Sequence, residues 1–213
     1  MKKLILLIIF LSFCFNSYSQ ERKNIEAYRF STPPLIDGKL NEKEWQKIKP
    51  ASNFEIFKPT TRFGKKIPKG YESFVYFGYD DKAVYLAADF KHPNPKEIRK
   101  QFSKRDVITG FDAEGFWVSL DTNDDKQSHF TFLVTTSGAL SDLYADGGWD
   151  SNSTNYDTVF DSKYHINDDG WTAEMIIPYS AIRFPKKQIQ DWGINFGRDL
   201  SGELKEEYMW NPV

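Results

Sequence analysis

Tyr71-Glu72-Ser73-Phe74-Val75-Tyr76-Phe77-Gly78-Tyr79-Asp80-Asp81-Lys82-Ala83-Val84-Tyr85-Leu86-Ala87-Ala88-Asp89-Phe90 decides the fold class. Two runs rich in aromatic and β-branched residues flank Asp80-Asp81-Lys82, a short polar loop suited to a hairpin, so residues 71–79 and 83–90 read as paired antiparallel strands. A second pair follows at 114–121 and 128–135 around Thr122-Asn123-Asp124-Asp125. In the latter strand Phe130, Phe132 and Val134 share one face while His129, Thr131 and Leu133 share the other, because side chains alternate along a strand. The first set is a core face. Further strands are expected near 139–145, 158–166, 171–178, 192–199 and 206–210, with Asp168-Asp169-Gly170 as a tight turn and Pro178 closing a strand. The fold class is all-β: an antiparallel β-sandwich or jelly roll of about nine or ten strands.

Helix is scarce. Residues 42–48 form the best case, a short N-terminal helix capped by Asn41, with Glu44 completing a capping box and Leu40 stapled against Trp45. A short turn at Tyr179–Ile182 is the other candidate. Residues 53–70, basic and broken by Pro59, Gly64, Pro68 and Gly70, read as a loop, and 142–157 is the one compositionally biased segment.

The beginning of the chain carries a different signal. Lys2 and Lys3 precede an apolar run from Leu4 to Phe15, and Ser17-Tyr18-Ser19 supplies a small-x-small cleavage site, so residues 1–19 read as a secretory signal peptide and 20–213 as one domain. The expected location is the periplasm or the cell surface and outer membrane. Cys14, the only cysteine, lies inside that signal, which leaves the exported domain without a disulfide and dependent on its core. The chain has 28 basic and 30 acidic residues for a net charge of −2, and losing Lys2 and Lys3 makes it more acidic. Such a balance offers no electrostatic footprint for nucleic acid. Aromatic residues make up 16% of the chain, enough both to fill a β core and to present flat faces to sugars.

Pro34-Leu35-Ile36-Asp37-Gly38-Lys39-Leu40-Asn41-Glu42-Lys43-Glu44-Trp45 resembles the opening of family 9 carbohydrate-binding domains, an I-D-G-x-L-x-E-x-x-W type segment. The run from Tyr79 to Leu86 resembles the family's Y-D-D hairpin, and Asp112 to Asp121 its next strand. Asp169 to Tyr179, Ile182-Arg183-Phe184 and Trp192-Gly193-Ile194-Asn195-Phe196 resemble a subgroup found at the N-terminus of large bacterial exported proteins that end in a membrane β-barrel. The resemblance implies a non-catalytic module that binds a glycan or oligosaccharide in carbohydrate capture or catabolism, with the capped helix plugging one end of the sandwich. It also implies a barrel partner in a full-length protein, of which this chain would be a truncated part. A structural domain docked on its own barrel, with sugar binding lost, is the alternative.

Sugar-binding members hold a sugar ring between two tryptophans. Their first tryptophan lies just before the Asp112 strand and an arginine lies on the next strand. This chain has Asp106-Val107-Ile108-Thr109-Gly110 and Phe130-Thr131-Phe132-Leu133-Val134 there. The carbohydrate-binding candidates are therefore Trp149 in the polar loop, Trp210 near the end, and Arg105 and Asp106, which offer hydrogen bonds to hydroxyls. Trp117, Trp171 and Trp192 sit in apolar alternation and read as core. Asn195 and Arg198, three apart on one strand, fall on opposite faces.

A structural calcium ion is the candidate cofactor, with Asp121, Asn123 and Asp125 supplying oxygens at alternate positions, although Lys126 stands where an EF-hand has glycine. Asp142, Asp146, Asp150 and Asp157 form a second carboxylate group. His92, His129 and His165 lack metal-ligand spacing. No nucleophile elbow, phosphate loop or dinucleotide fingerprint occurs, and Glu114 with Glu174 is one candidate pair for O-glycosyl hydrolysis in a chain rich in carboxylates.

Overall fold

The computed structural model describes residues 22–107, 110, 112–147, 152–153 and 156–212. The strands are β1 (Tyr28–Arg29), β2 (Glu55–Lys58), β3 (Ser73–Tyr79), β4 (Ala83–Lys91), β5 (Gly115–Asp121), β6 (Ser128–Thr135), β7 (Leu140–Asp146), β8 (Asn152–Ser153), β9 (Asp161–Asn167), β10 (Gly170–Pro178), β11 (Gly193–Asp199) and β12 (Glu207–Met209). They form a five-stranded sheet in the order β1-β3-β4-β10-β9 and a seven-stranded sheet in the order β2-β12-β11-β5-β6-β7-β8. All the ladders are antiparallel except β1 beside β3.

The inner faces meet in one core. Val75, Phe77, Leu86, Phe90, Trp171 and Met175 come from the five-stranded sheet, and Phe116, Val118, Phe130, Phe132, Phe196 and Tyr208 from the seven-stranded sheet. Nine strands coincide with the sequence reading. The three beyond them are β1 and β8, two residues each, and β2. Glu55–Lys58 shows no alternation of its own and becomes a strand by pairing with β12, at the far end of the chain, and by an isolated bridge from Glu55 to Lys66.

The expected N-terminal helix is a single 3-10 turn, Trp45–Lys47, without a side-chain cap. It does not plug an end of the sandwich. The segment 36–48 lies on the outer face of the five-stranded sheet, where Trp45, Ile48 and Phe30 cover Ala83, Tyr85 and Ala87, and Leu40 and Ile36 pack alongside. The reason is legible in β4, whose near-continuous apolar run leaves both of its faces in need of cover. Gly38 makes the approach feasible: its φ is +87°, and a Cβ there would lie 2.7 Å from the Tyr164 backbone of the edge strand β9.

Glu174 anchors this cover. Its carboxylate accepts the Asp37 and Gly38 N–H groups, each at 2.9 Å, and the Trp45 indole N–H at 2.8 Å. Burial pushes the Glu174 carboxyl up to about 7, against the pull of those three donors. Between the sheets, Arg198 of β11 is fully buried and donates to Glu114 Oε2 at 2.9 Å and to the Lys91 carbonyl at 2.8 Å. Trp171 Nε1 donates to the same Glu114 oxygen at 2.7 Å. His92 Nε2 stands 3.4 Å from the other carboxylate oxygen, while its Nδ1 accepts the Asn94 N–H. One carboxylate thus ties β4, β5, β10 and β11 together.

Candidate functional site

The outer face of the seven-stranded sheet is built differently from its inner face. Alternation turns Trp117 and Ser119 of β5, His129, Thr131 and Leu133 of β6, and Asn195 and Gly197 of β11 outward. Register then places Asn195, Ser119 and Thr131 in one row across three strands. In the next row Trp117 lies over Gly197, where a Cβ would meet the indole at 2.0 Å. Trp117 packs there with Leu133, Met209 and Phe57. It is buried as the alternation suggests, but in this outer cluster and not between the sheets.

At one end of this face lies a cleft of about 440 Å³. Ser119, Asn195 and His129 line it from the sheet, Asp124 and Lys126 from the β5–β6 hairpin, and Trp192 from the residue just before β11. Trp192 is half-buried: Phe184 backs its ring at 5.4 Å, and its indole N–H donates to Gln190 Oε1 at 3.2 Å. Alternation made Trp192 a core residue. It sits instead just before β11 and serves both the core and the cleft. Ser119 and Thr131 hydroxyls bond each other at 2.5 Å. Asn195 Oδ1 accepts the Phe196 and Asn211 N–H groups, and its Nδ2 donates to the Asn211 carbonyl at 2.8 Å. Burial lowers the His129 pKa against the pull of Asp121 and Asp125, which favours the neutral ring.

A second cleft of equal size lies at the opposite end of β5 and β11, lined by Arg99, Asp112, Asp199, Ser201, Lys205 and Glu206. Among the described residues no aromatic side chain lines it. The first cleft has an aromatic residue, Trp192, in its lining beside hydroxyl and amide groups, the pairing that a sugar ring needs.

The residues nominated from sequence do not meet in either cleft. Trp149 lies outside the described residues. Trp210 is 3% exposed and packed against Phe196 at 5.4 Å, so it presents no face to a ligand; the strand alternation that ends in Glu207–Met209 carries it into the core. Arg105 pairs with the fully buried Asp142, donates to the Thr158 carbonyl at 2.8 Å and lies over the Phe160 ring at 5.6 Å. Asp106, in the left-handed region at φ 63°, accepts the Asp142 N–H. The two residues fasten the 99–107 segment to β7, and their polar groups are occupied by the protein itself.

The hairpin after β5 is likewise self-satisfied. Asp121 accepts the N–H groups of Asn123, Asp125 and Lys126, and Asp125 accepts those of Gln127 and Ser128. The Asn123 amide donates toward Ser128 Oγ. These oxygens cap the turn, and among the described residues no three His, Cys, Asp or Glu side chains converge on a cation position. Asp142 and Asp157 converge on Arg105 instead. Glu114 and Glu174 cannot act as a glycosidase pair: both are buried, one between the sheets and the other under the Trp45 segment.

The fold is a two-sheet β-sandwich with solved counterparts. It matches a family 9 module from Caldicellulosiruptor kristjanssonii solved with cellotriose at a TM-score of 0.57, with 16% identity over 88% of this chain and 82% of that one. A family 9 module from the same organism solved with glucose matches at 0.57, with 16% identity over 90% and 91%. A Bacteroides uniformis protein to which carbohydrate binding is ascribed matches at 0.62, with 13% identity over 88% of each chain. No family model matches the sequence, and no curated protein does.

Proposed function

We propose that this chain binds carbohydrate in the cleft above Ser119 and Asn195, with the sugar ring against Trp192 and its hydroxyls on those polar side chains. The observation that carries the reading is the pairing of an aromatic lining residue with an outward row of hydroxyl and amide side chains, on a fold shared with modules solved with cellotriose and glucose. An apolar ring face covers sugar C–H groups while the rim exchanges hydrogen bonds, the arrangement small-ligand sites need. The reading is a non-catalytic module acting outside the cytoplasm in glycan capture or catabolism. Lys2-Lys3, the apolar run 4–15 and Ser17-Tyr18-Ser19 support export, and the subgroup resemblance supports a barrel partner. Isothermal titration against a glycan panel tests the binding. Heat from at least one glycan, lost in Trp192→Ala while that variant stays folded, is the expected result; silence across the panel from a folded protein removes the claim.

A further inference from the structure

The hydrogen bonds that build the cleft leave a lopsided set of free groups. Among its acceptors, both Asp121 oxygens are taken by backbone N–H groups of the hairpin. Both lone pairs of Asn195 Oδ1 are taken by Phe196 and Asn211. Asn211 Oδ1 accepts the Lys23 N–H and its amide donates back to the Lys23 carbonyl. The Lys23 ammonium is also spent, its three donors going to the Asn53 and Trp210 carbonyls and Glu55.

Among the charged groups of the lining, two cations and one carboxylate remain. An amide nitrogen carries two N–H groups, so Asn195 Nδ2 keeps one after serving Asn211. Arg22 and Lys126 line the cleft, are exposed, and have no carboxylate in salt-bridge reach among the described residues. Lys126 is presented by a left-handed backbone, φ 61°, that the Asp121 carboxylate holds through the Lys126 N–H at 2.8 Å. Asp124 on the same lip is the remaining carboxylate, one negative group against two cations.

We propose that the cleft prefers a saccharide bearing an anionic group, a uronate carboxylate or a sulfate ester, held by Lys126 and Arg22 while the ring rests on Trp192. The inference rests on the carbohydrate-binding reading of this cleft and adds the charge of the ligand to it. Charge-assisted hydrogen bonds are about twice as strong as neutral ones, and at an exposed lip they weaken with salt.

Titration of the full chain with glucose, glucuronate and glucose 6-sulfate at low and high salt tests it. Glucuronate or the sulfate ester, or both, binds about tenfold tighter than glucose at low salt, and which of the two does so identifies the anionic group. The margin, read as the ratio of anionic to neutral sugar affinity within each protein, shrinks at high salt and disappears in Lys126→Gln and Arg22→Gln. Equal affinity for all three sugars, or a margin that survives both substitutions, overturns the inference and leaves carbohydrate binding standing. Silence toward every sugar from a folded protein overturns both.

Discussion

Replacing Glu114 with glutamine keeps the shape of the most connected carboxylate in the core and removes its charge. In the native fold its Oε2 accepts Trp171 Nε1 at 2.7 Å and Arg198 at 2.9 Å, and Oε1 faces His92 Nε2. The glutamine side chain would have one acceptor oxygen for these donors, and its amide would meet an N–H donor on one side. Arg198, fully buried and with its Nε already unpartnered, would keep its charge without a counter-ion. Removing one partner of a buried pair costs about 3–5 kcal/mol, because the other charge is left uncompensated. At a urea slope of about 2 kcal/mol/M, that moves the midpoint of equilibrium unfolding down by about 2 M. The companion Arg198→Met removes the stranded charge, and the double variant should regain at least half of the loss, since the glutamine oxygen still accepts the Trp171 indole. A Glu114→Gln midpoint within about 0.3 M of the parent, the shift of an ordinary surface change, would refute the reasoning.

Gly38→Ala should destabilise the fold by more than about 1 kcal/mol, since the new Cβ combines a positive φ with a 2.7 Å contact to the Tyr164 backbone; thermal unfolding measures it. Glu174, raised from 4.5 to about 7 by burial, holds its proton more tightly folded than unfolded. Its contribution is therefore fully present below about pH 4.5 and is lost as pH rises through about 7, so Glu174→Gln should flatten the fall in stability across that window in urea titrations at stepped pH. Trp192→Ala should abolish saccharide binding and cost less stability than Trp210→Ala, since Trp192 is half-buried and Trp210 is 3% exposed; calorimetry and urea midpoints on both variants separate the two roles.

The strands that alternate or run apolar were legible in the sequence because local pattern and tertiary burial agree there. Phe130, Phe132 and Val134 face the core as read, and Arg198 and Asn195 fall on opposite faces. The Trp45 segment was legible as an anchor but not in its place, since which sheet it covers depends on where Glu174 and Gly38 meet. β2 was hidden because its strand character comes from β12.

The candidate site was the least legible part. Ser119, Asn195 and Thr131 form a row only once β11, β5 and β6 are in register, and single-strand alternation says nothing of that. Trp192 was visible but drawn into the core by its neighbours Ile194 and Phe196. Arg105 and Trp210 had the right chemistry for a sugar; their partners Asp142 and Phe196 had already claimed them.

Two-dimensional NMR of the labelled protein titrated with a saccharide that gives heat tests the central claim most directly, because each indole and amide side chain reports its own place. Shifts are expected at the Trp192 indole N–H and the Asn195 side-chain amide, with the buried Trp45, Trp171 and Trp210 indoles unmoved. Shifts gathered instead around Arg99, Asp112 and Lys205, with Trp192 and Asn195 unchanged, would contradict it.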